Sequence, residues 1–323
     1  MEAITARITT KGKASRDSAV SIGTRSVFSK GNWLKIAQIF DELWLDAPPL
    51  DDPAAFIGAL KKTGLNADLF TFGQMLPDTK PKYPYHLEWD NLAVAPTSDF
   101  DIWWTALPQE SRKNVRKSQK RGVSVKTVDF GDELVRGIKA IYDETPVRQG
   151  RRFWHYGKNL ETVRKENSSY LDRSQFIGGF YEGKLIGFLK MVYVGPTARI
   201  MQILSMNRHM EKHTTNALLA TAVECCSKRP VSHLIYGQYV YGNKRSSSVT
   251  EFKRRNGFQE VLLPRYYVPL TRTGKIAIST GLHQGIARAL PEPLTNFLLD
   301  TRAFVYERLL IRFRSPRAVT NGS

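Results

Sequence analysis

Residues whose types and spacing could do chemistry fall in three stretches. One runs from His233 to Tyr241 as HLIYGQYVY and resumes from Ser246 to Phe258 as SSSVTEFKRRNGF. It sets the phenols of Tyr236, Tyr239 and Tyr241 shortly before a helix-patterned segment carrying Glu251, Phe252 and Lys253. A lysine can stabilise an oxyanion or a phosphate, and a phenol can hand a proton to a leaving group. Glu251 is a possible base or a plain surface carboxylate. The second stretch, Arg148 to Tyr156, interleaves three arginines with Phe153, Trp154, His155 and Tyr156. Arginine grips phosphate or carboxylate in bidentate fashion, and rings stack on sugars or bases. Arg148, Trp154, His155 and Tyr156 are therefore candidate acceptor contacts. The third, Arg112 to Arg121, holds six basic residues and one aliphatic, Val115. A helix of that composition lacks the apolar face that core burial requires, so it is expected to be solvated or to face an anionic partner. Arg112, Arg116, Lys117 and Lys120 are its candidate nucleic-acid contacts. No metal site is expected: the six histidines supply no H-x-x-x-H pair on a predicted helix, and Cys225 and Cys226 have no zinc spacing.

These stretches need a scaffold. The 323 residues, 41% hydrophobic, provide core for one large domain or two modest ones and exclude a wholly disordered chain. Asp51-Asp52-Pro53 opens a helix, with proline in the first turn and acids at the positive end of the dipole, and Lys61, Lys62 and Gly64 close it. Short strands are predicted over 33–40, 67–72 and 86–94. Pro108 begins the basic helix and Gly122 stops it. A strand over 123–128, an amphipathic helix over 132–142 and a polar helix over 160–170 follow. Segments 175–181, 185–194 and 198–204 read as an antiparallel meander turned by Glu182-Gly183-Lys184 and Gly195-Pro196. A helix over 215–227, capped by Thr214 or Thr215, precedes a strand over 232–236, a helix over 246–256 and a strand over 260–268. Beyond Gly274, Pro291 and Pro293 separate two short helices, the last amphipathic over 294–314.

The element order from Asp132 to Val268 resembles the GNAT superfamily. Local patterns from Trp103 to Leu270 resemble its FemAB-like branch: Arg112-x-Asn114-x-Arg116-Lys117 ahead of Gly122-Val123-x-Val125, then Tyr142-x-x-Thr145-x-x-Arg148, the meander glycines Gly183 and Gly187, and Phe252-Lys253-x-x-Asn256-Gly257-Phe258. The resemblance implies an α+β fold, GNAT-like, with a mixed and mostly antiparallel sheet flanked by helices. It places a partial second GNAT-like half at 29–128, a GNAT-like domain at 129–272 and a helical extension at 273–323, after a disordered basic tail at 1–28. The implied activity is an acyltransferase that moves an acyl or aminoacyl group from acyl-CoA or aminoacyl-tRNA to an amine. The alternative is a tRNA- or nucleic-acid-binding protein on the same scaffold without turnover. The donor would lie in a cleft splayed between parallel strands 198–204 and 232–236. Ser205, Arg208, Thr215 and Asn216 would bind it at the following helix N-terminus, whose free N–H groups and dipole suit an anion. The loop Ser205 to Thr215 contains no glycine, where many GNAT enzymes carry a Gly-rich pyrophosphate motif. The resemblance also implies that Phe252 and Lys253 lie near the reacting groups; Tyr239 and Tyr241, which follow the second central strand, are candidate proton donors. Nothing resembles a Ser-His-Asp or Cys-His nucleophile, which favours direct transfer. No permanently bound cofactor is expected; acyl-CoA is a candidate co-substrate.

The formal net charge of +18 suits nucleic acid, an anionic membrane surface reached through 294–317, or a phosphate- or carboxylate-bearing substrate. Adjacent cysteines on a helix point in different directions and read as core residues of a reducing compartment, which makes the expected location cytoplasmic. No run of 18 apolar residues predicts a spanning helix, and the first 30 residues lack the apolar region of a secretory signal.

Overall fold

The computed structural model describes residues 8–10, 13–15, 19–40, 49–148, 150–241 and 247–284. In chain order the elements are β1 (Ile8–Thr10), β2 (Lys13–Ser15), β3 (Ala19–Ile22), β4 (Arg25–Lys30), β5 (Ile36–Ile39), α1 (Pro53–Lys62), β6 (Leu69–Gly73) and β7 (His86–Pro96). Next come α2 (Phe100–Ala106), α3 (Gln109–Lys120), β8 (Ser124–Val128), α4 (Asp132–Tyr142), the small hairpin β9 (Val147–Arg148) and β10 (Arg151–Arg152), and α5 (Leu160–Asn167). The meander β11 (Ser174–Tyr181), β12 (Lys184–Val194), β13 (Thr197–Ser205) leads to α6 (Thr214–Ser227), β14 (His233–Ile235), α7 (Ser248–Arg255), β15 (Gln259–Pro269) and α8 (Arg272–Ser279). Five helix starts follow local chemistry, whereas α6 corrects the expected Thr214 or Thr215 cap: it starts from His213 in the left-handed conformation, with no side-chain cap bond. Asp52, Asp99, Asn159, Ser247 and Thr271 each accept a hydrogen bond from a backbone N–H in the first turn of α1, α2, α5, α7 and α8.

The described residues fall into two units, one of 19–93, 238–240 and 260–284, the other of 94–237, 241 and 247–259. In the first, β3, β4 and β5 pair antiparallel, β5 pairs parallel with β6 across α1, and β15 pairs antiparallel with β6 from Arg265 opposite Gly73 to Pro269 opposite Leu69. Val20, Val27, Ile39, Phe70, Phe72 and Tyr266 fill its core. This corrects the expectation of a disordered tail over 1–28: residues 19–28 lie in β3, its turn and β4, with Ala19, Val20, Val27 and Phe28 buried. Serine, threonine and basic residues mask their alternation, and the burial is created by β5. The halves at 29–128 and 129–272 are redrawn as well. β15 belongs with β6, while α2, α3 and β8 belong to the second unit. Strand pairing is decided by register across space, which chain continuity does not encode. The amphipathic segment over 294–314 lies outside the described residues.

In the second unit the order is β8, β11, β12, β13, β14 and the end of β7, with Val94 to Pro96 opposite Ile235 to His233. Pairings are mostly antiparallel; β13 and β14 run parallel, as the resemblance implied. Ile186 and Phe188 of β12 pack with Leu134, Val135 and Ile138 of α4. The paired glycines Gly179 and Gly187 sit under α6. A Cβ at either would fall 2.6 and 2.9 Å from the Thr214 methyl, so only glycine lets the start of α6 approach the strands this closely.

Candidate active site

α7 begins on Ser247 and ends by a local stop written in its sequence. Asn256 is the C-cap, and Gly257 takes the left-handed conformation at φ +78°. The Gly257 N–H donates to the Arg254 carbonyl and the Phe258 N–H to the Lys253 carbonyl, the paired bonds of a Schellman motif. A Cβ at Gly257 would lie 2.5 Å from Trp103 Nε1, so both conformation and space demand glycine. The stop turns Phe258 inward, where its ring meets Tyr236 at 5.7 Å. The pattern Phe-Lys-x-x-Asn-Gly-Phe is thus first a device that fixes the pitch of α7.

That pitch buries Lys253 completely, at 0% exposure. Its Nζ lies 4.7 Å from the ring centre of Tyr236, 4.5 Å from that of Tyr241, and 3.5 Å from the Tyr241 hydroxyl. Aromatic faces attract the ammonium, yet less strongly than the water they replace. Burial therefore brings Lys253 down to about 8, within reach of physiological pH. The same burial, with Tyr241 nearby, raises the Tyr236 phenol, which stays protonated. Tyr241 is 48% exposed and forms the solvent-facing wall. Gly237, at φ +58°, makes room for it: a Cβ there would meet the Tyr241 oxygen at 2.7 Å. The result is a lysine that can carry or release a proton beside a phenol that solvent and ligand can reach. Phe252 is half-buried next to it. Tyr239 falls to the other unit and is half-buried.

The predicted donor residues divide. β13 pairs with β14 only from Thr197 to Arg199 and runs on to Ser205 paired with β12 but not with β14. A bulge at Met201, between the pairs Met191–Ile200 and Lys190–Gln202, bends β13 just past that point. Where β13 ends, the Ser205 hydroxyl meets the Thr215 hydroxyl at 2.9 Å, and Asn216 donates to the Asn256 side-chain oxygen at 2.9 Å. Asn216 is thus bonded directly to the C-cap of α7, three residues from Lys253, while Ser205 and Thr215 bond to each other beside it. Arg208 is different: its guanidinium donates to Met206 Sδ at 3.1 Å. The loop amides are occupied. Glu144 accepts from the N–H of Asn207 at 2.7 Å and of Arg208 at 2.9 Å.

The arginine–aromatic loop is a folded hairpin whose members play opposite parts. Arg148 is a clasp: it donates to the carbonyls of Ser205 at 2.9 Å and Ile141 at 3.3 Å and pairs with Glu144 at 3.2 Å. Burial lowers the guanidinium while Glu144 works against that, so Arg148 keeps its charge for holding the end of β13. His155 stacks on Tyr142 at 4.3 Å. The Tyr142 hydroxyl donates to Gln202 Oε1 at 2.7 Å, so the Gln202 amide faces His155 Nε2 as a donor at 3.2 Å. Nδ1 lies between the Glu166 carboxylate and the Lys158 ammonium, each at 3.4 Å. Burial first, then Lys158, push His155 down to about 4, a neutral interior ring. Trp154 and Tyr156 remain exposed, beside exposed Arg151 and Arg152.

The basic helix corrects the expectation that core burial could not hold it. α3 buries Ser111, Val115 and Ser118, a stripe at i, i+4 and i+7 lying on α6, and the Ser111 hydroxyl donates to the Arg255 carbonyl at 2.6 Å. Small polar side chains allow close approach, which a count of aliphatics overlooks. Arg116 and Lys120 stay exposed; Arg112 donates to the Thr105 carbonyl at 2.9 Å, and Lys117 lies 3.6 Å from Glu110. Sequence reasoning also missed Glu144, which meets its partners 63 and 64 residues away. It missed Lys190, although one lysine inside the apolar run LIGFLKMVYV is a signal.

No protein-family model matches the sequence, and no curated protein matches it. Solved structures do share the fold. The crystal structure of FemX aligns with a TM-score of 0.51 at 10% identity, over 77% of this chain and 87% of that one. The C-terminal domain of a candidate lysylphosphatidylglycerol synthetase from Agrobacterium fabrum gives 0.53 at 12% identity, over 82% and 89%. L-PGS from Bacillus licheniformis gives 0.51 at 12% identity, over 82% and 88%.

Proposed function

From the GNAT-like, FemAB-like fold of this chain, we propose that it is an aminoacyltransferase taking an aminoacyl group from the ester of a charged tRNA to an amine-bearing acceptor. The observation that carries the reading is Lys253, buried between two tyrosine rings with its pKa near 8 and a reachable phenol 3.5 Å away. In the reaction the amine nitrogen attacks the ester carbonyl. The charge of the Lys253 ammonium, buried behind Tyr241, stabilises the oxyanion across the Tyr241 hydroxyl, and the C–O bond to the ribose breaks. Tyr241 gives its proton to the departing ribose oxygen and recovers one from Lys253; the proton lost by the amine passes to solvent, and one from solvent returns through Tyr241 to restore the ammonium. A preorganised charge in a dry site contributes most to such a step.

An ester donor is favoured over a thioester because the loop amides of Asn207 and Arg208 already hold the Glu144 carboxylate. Pyrophosphate would have to displace it, and the loop from Ser205 to Thr215 has no glycine to offer further amides. The exposed cations of α3 suit a tRNA backbone. A neighbour named for synthesis of a lysyl-lipid fits an aminoacyl cargo.

The test is a thermal shift of the full chain with charged tRNA or with acetyl-CoA and a long-chain acyl-CoA, followed by transfer of labelled aminoacyl groups to an amine panel. Charged tRNA is expected to raise the midpoint and to lose its aminoacyl group to an amine. A rise with acyl-CoA and none with tRNA would replace the ester by a thioester. Binding of tRNA with no transfer to any amine would leave a nucleic-acid-binding protein. α3 provides a separate check. The double variant Arg116→Gln, Lys120→Gln is expected to flatten the log–log dependence of tRNA affinity on salt by about 1.5, since each phosphate contact contributes about 0.7–0.9. An unchanged slope would remove α3 from the interface.

A further inference from the structure

The first unit gathers two imidazoles and a carboxylate that neither the proposed reaction nor the core uses. His86 and Glu88 lie two apart on β7, so strand periodicity puts both side chains on one face. His283 comes from the turn Leu282–Gln284 that follows α8. Their ligand atoms all lie within 4.8 Å of one another. His86 Nε2 is 3.5 Å from Glu88 Oε1, and His283 Nε2 contacts that same oxygen. The two imidazole planes stand at 85°, with ring centres 5.4 Å apart, and Tyr267 supports His283 at 4.8 Å.

The proton count is the informative part. His283 Nδ1 lies 3.0 Å from the Ala277 carbonyl, which can only accept, so Nδ1 must carry a hydrogen. Nε2 then faces the Glu88 carboxylate, also an acceptor. A neutral imidazole has one N–H and cannot satisfy both. With the hydrogen on Nδ1, the Nε2 lone pair faces Glu88 Oε1, which also accepts from the Gln284 amide at 2.8 Å, so two ligand atoms are aimed at one another and would part to admit a cation bound by both. The His283 side chain is 1% exposed, so the ring is held in place by its surroundings. A divalent ion needs the unprotonated Nε2 lone pair, and it would draw in His86, whose ring points at the same oxygen. The bond from Nδ1–H to a backbone carbonyl is the usual outer support of a metal-bound histidine.

We propose that His86, Glu88 and His283 bind one divalent transition-metal ion of the zinc class. Two imidazole nitrogens and one carboxylate oxygen suit that class. Zinc bond lengths put tetrahedral ligands about 3.3 Å apart, so His86, with its side chain 41% exposed, closes by a small rotation. Three protein ligands leave a fourth position. His86 also lines a cleft of about 350 Å³ with Tyr85, Tyr267, Pro269, Lys275 and Ile278, so the fourth position can take water or an anionic group from that cleft. The ion would also fasten the segment after α8 to β7.

The experiment uses the full chain stripped with chelator. Zn²⁺ is titrated in competition with a chromophoric chelator, and Co²⁺ reports the geometry through its ligand-field absorption. One ion per chain is expected, with Co²⁺ intensity of a four- or five-coordinate site. Glu88→Gln and His283→Ala should weaken binding at least about 100-fold, the upper end of what losing even an outer-shell partner costs. His283→Ala removes a buried ring, so His86→Ala serves as the variant whose exposed position preserves folding; it should lose the Co²⁺ spectrum and the Zn²⁺-induced rise in Tm. No stoichiometric ion, or binding unchanged in all three variants, would overturn the proposal and leave a histidine–carboxylate hydrogen bond.

Discussion

Lys253→Met is expected to lower kcat for aminoacyl transfer by about 100-fold or more, the scale of losing one oxyanion stabiliser, while leaving the protein as stable as before at pH 7. The two halves of this expectation share a cause. The surroundings of Lys253, taken together, disfavour its charge, which is what a pKa of about 8 means. An unfolded lysine titrates near 10.4, so between those values the unfolded chain binds more protons. Stability from this group is then present above about 10.5 and is lost as pH falls through about 8. At pH 7 the native state therefore carries a charge it would rather shed. Methionine, unbranched and of similar length, fills the same space between the rings without the desolvation cost of the ammonium. The rate has the opposite dependence. If the ammonium stabilises the oxyanion, activity is present below pH 8 and falls tenfold per unit above it. Lys253→Arg would keep a charge that does not titrate and lose that falling limb, though its fork does not fit the two rings. The measurements are pH–rate profiles and urea titrations of wild type, Lys253→Met and Lys253→Arg. A wild-type profile flat through pH 9, or full activity in the methionine variant, would refute the role.

Lys190→Met should do the reverse: leave the chemistry alone and destabilise the fold by about 2–4 kcal/mol. Lys190 is also buried, at 2% exposure, and burial also brings it down to about 8. Its ammonium sits at a helix end. The ammonium donates to the Asn167 carbonyl at 2.8 Å, the Ser169 carbonyl at 2.6 Å and the Ser169 hydroxyl at 3.0 Å. It closes the C-terminal end of α5 from the middle of β12, where free carbonyls and the helix dipole favour a cation. Methionine would remove the charge but strand buried carbonyls, each costing about 1–3 kcal/mol. Urea unfolding followed by far-UV circular dichroism would measure it. A variant as stable as wild type would mean that water replaces the ammonium and that Lys190 holds nothing.

These two lysines show how far sequence reading reaches. Lys253 was legible because it sits in a local pattern: cap, helix, Asn-Gly stop, inward Phe. All of that is short-range, so residue types and spacing carry it, and the resemblance attached a role. The meander, the parallel pairing of β13 with β14, and α4 were legible for the same reason, each being a periodicity closed by its own turn. Arg148 and His155 were legible as residues but not as roles. The same composition serves a binding surface or an internal clasp, and only the end of β13 and Gln202, 57 and 47 residues away, decide between them. Trp154 and Tyr156, from the same loop, were left outside.

By itself the sequence determined most of the helices and their stops, the meander and its turns, and the excess of positive charge. Each depends on neighbours within about one or two turns of chain. Tertiary structure alone decided that residues 19–28 are strands, that β15 pairs with β6, that Glu144 fills the amides of the β13 loop, that Lys253 is buried, and that His283 meets His86 and Glu88 across almost 200 residues. Burial and pairing depend on which distant segments arrive at the same place. Desolvation, which sets the Lys253 pKa, does not exist until they do.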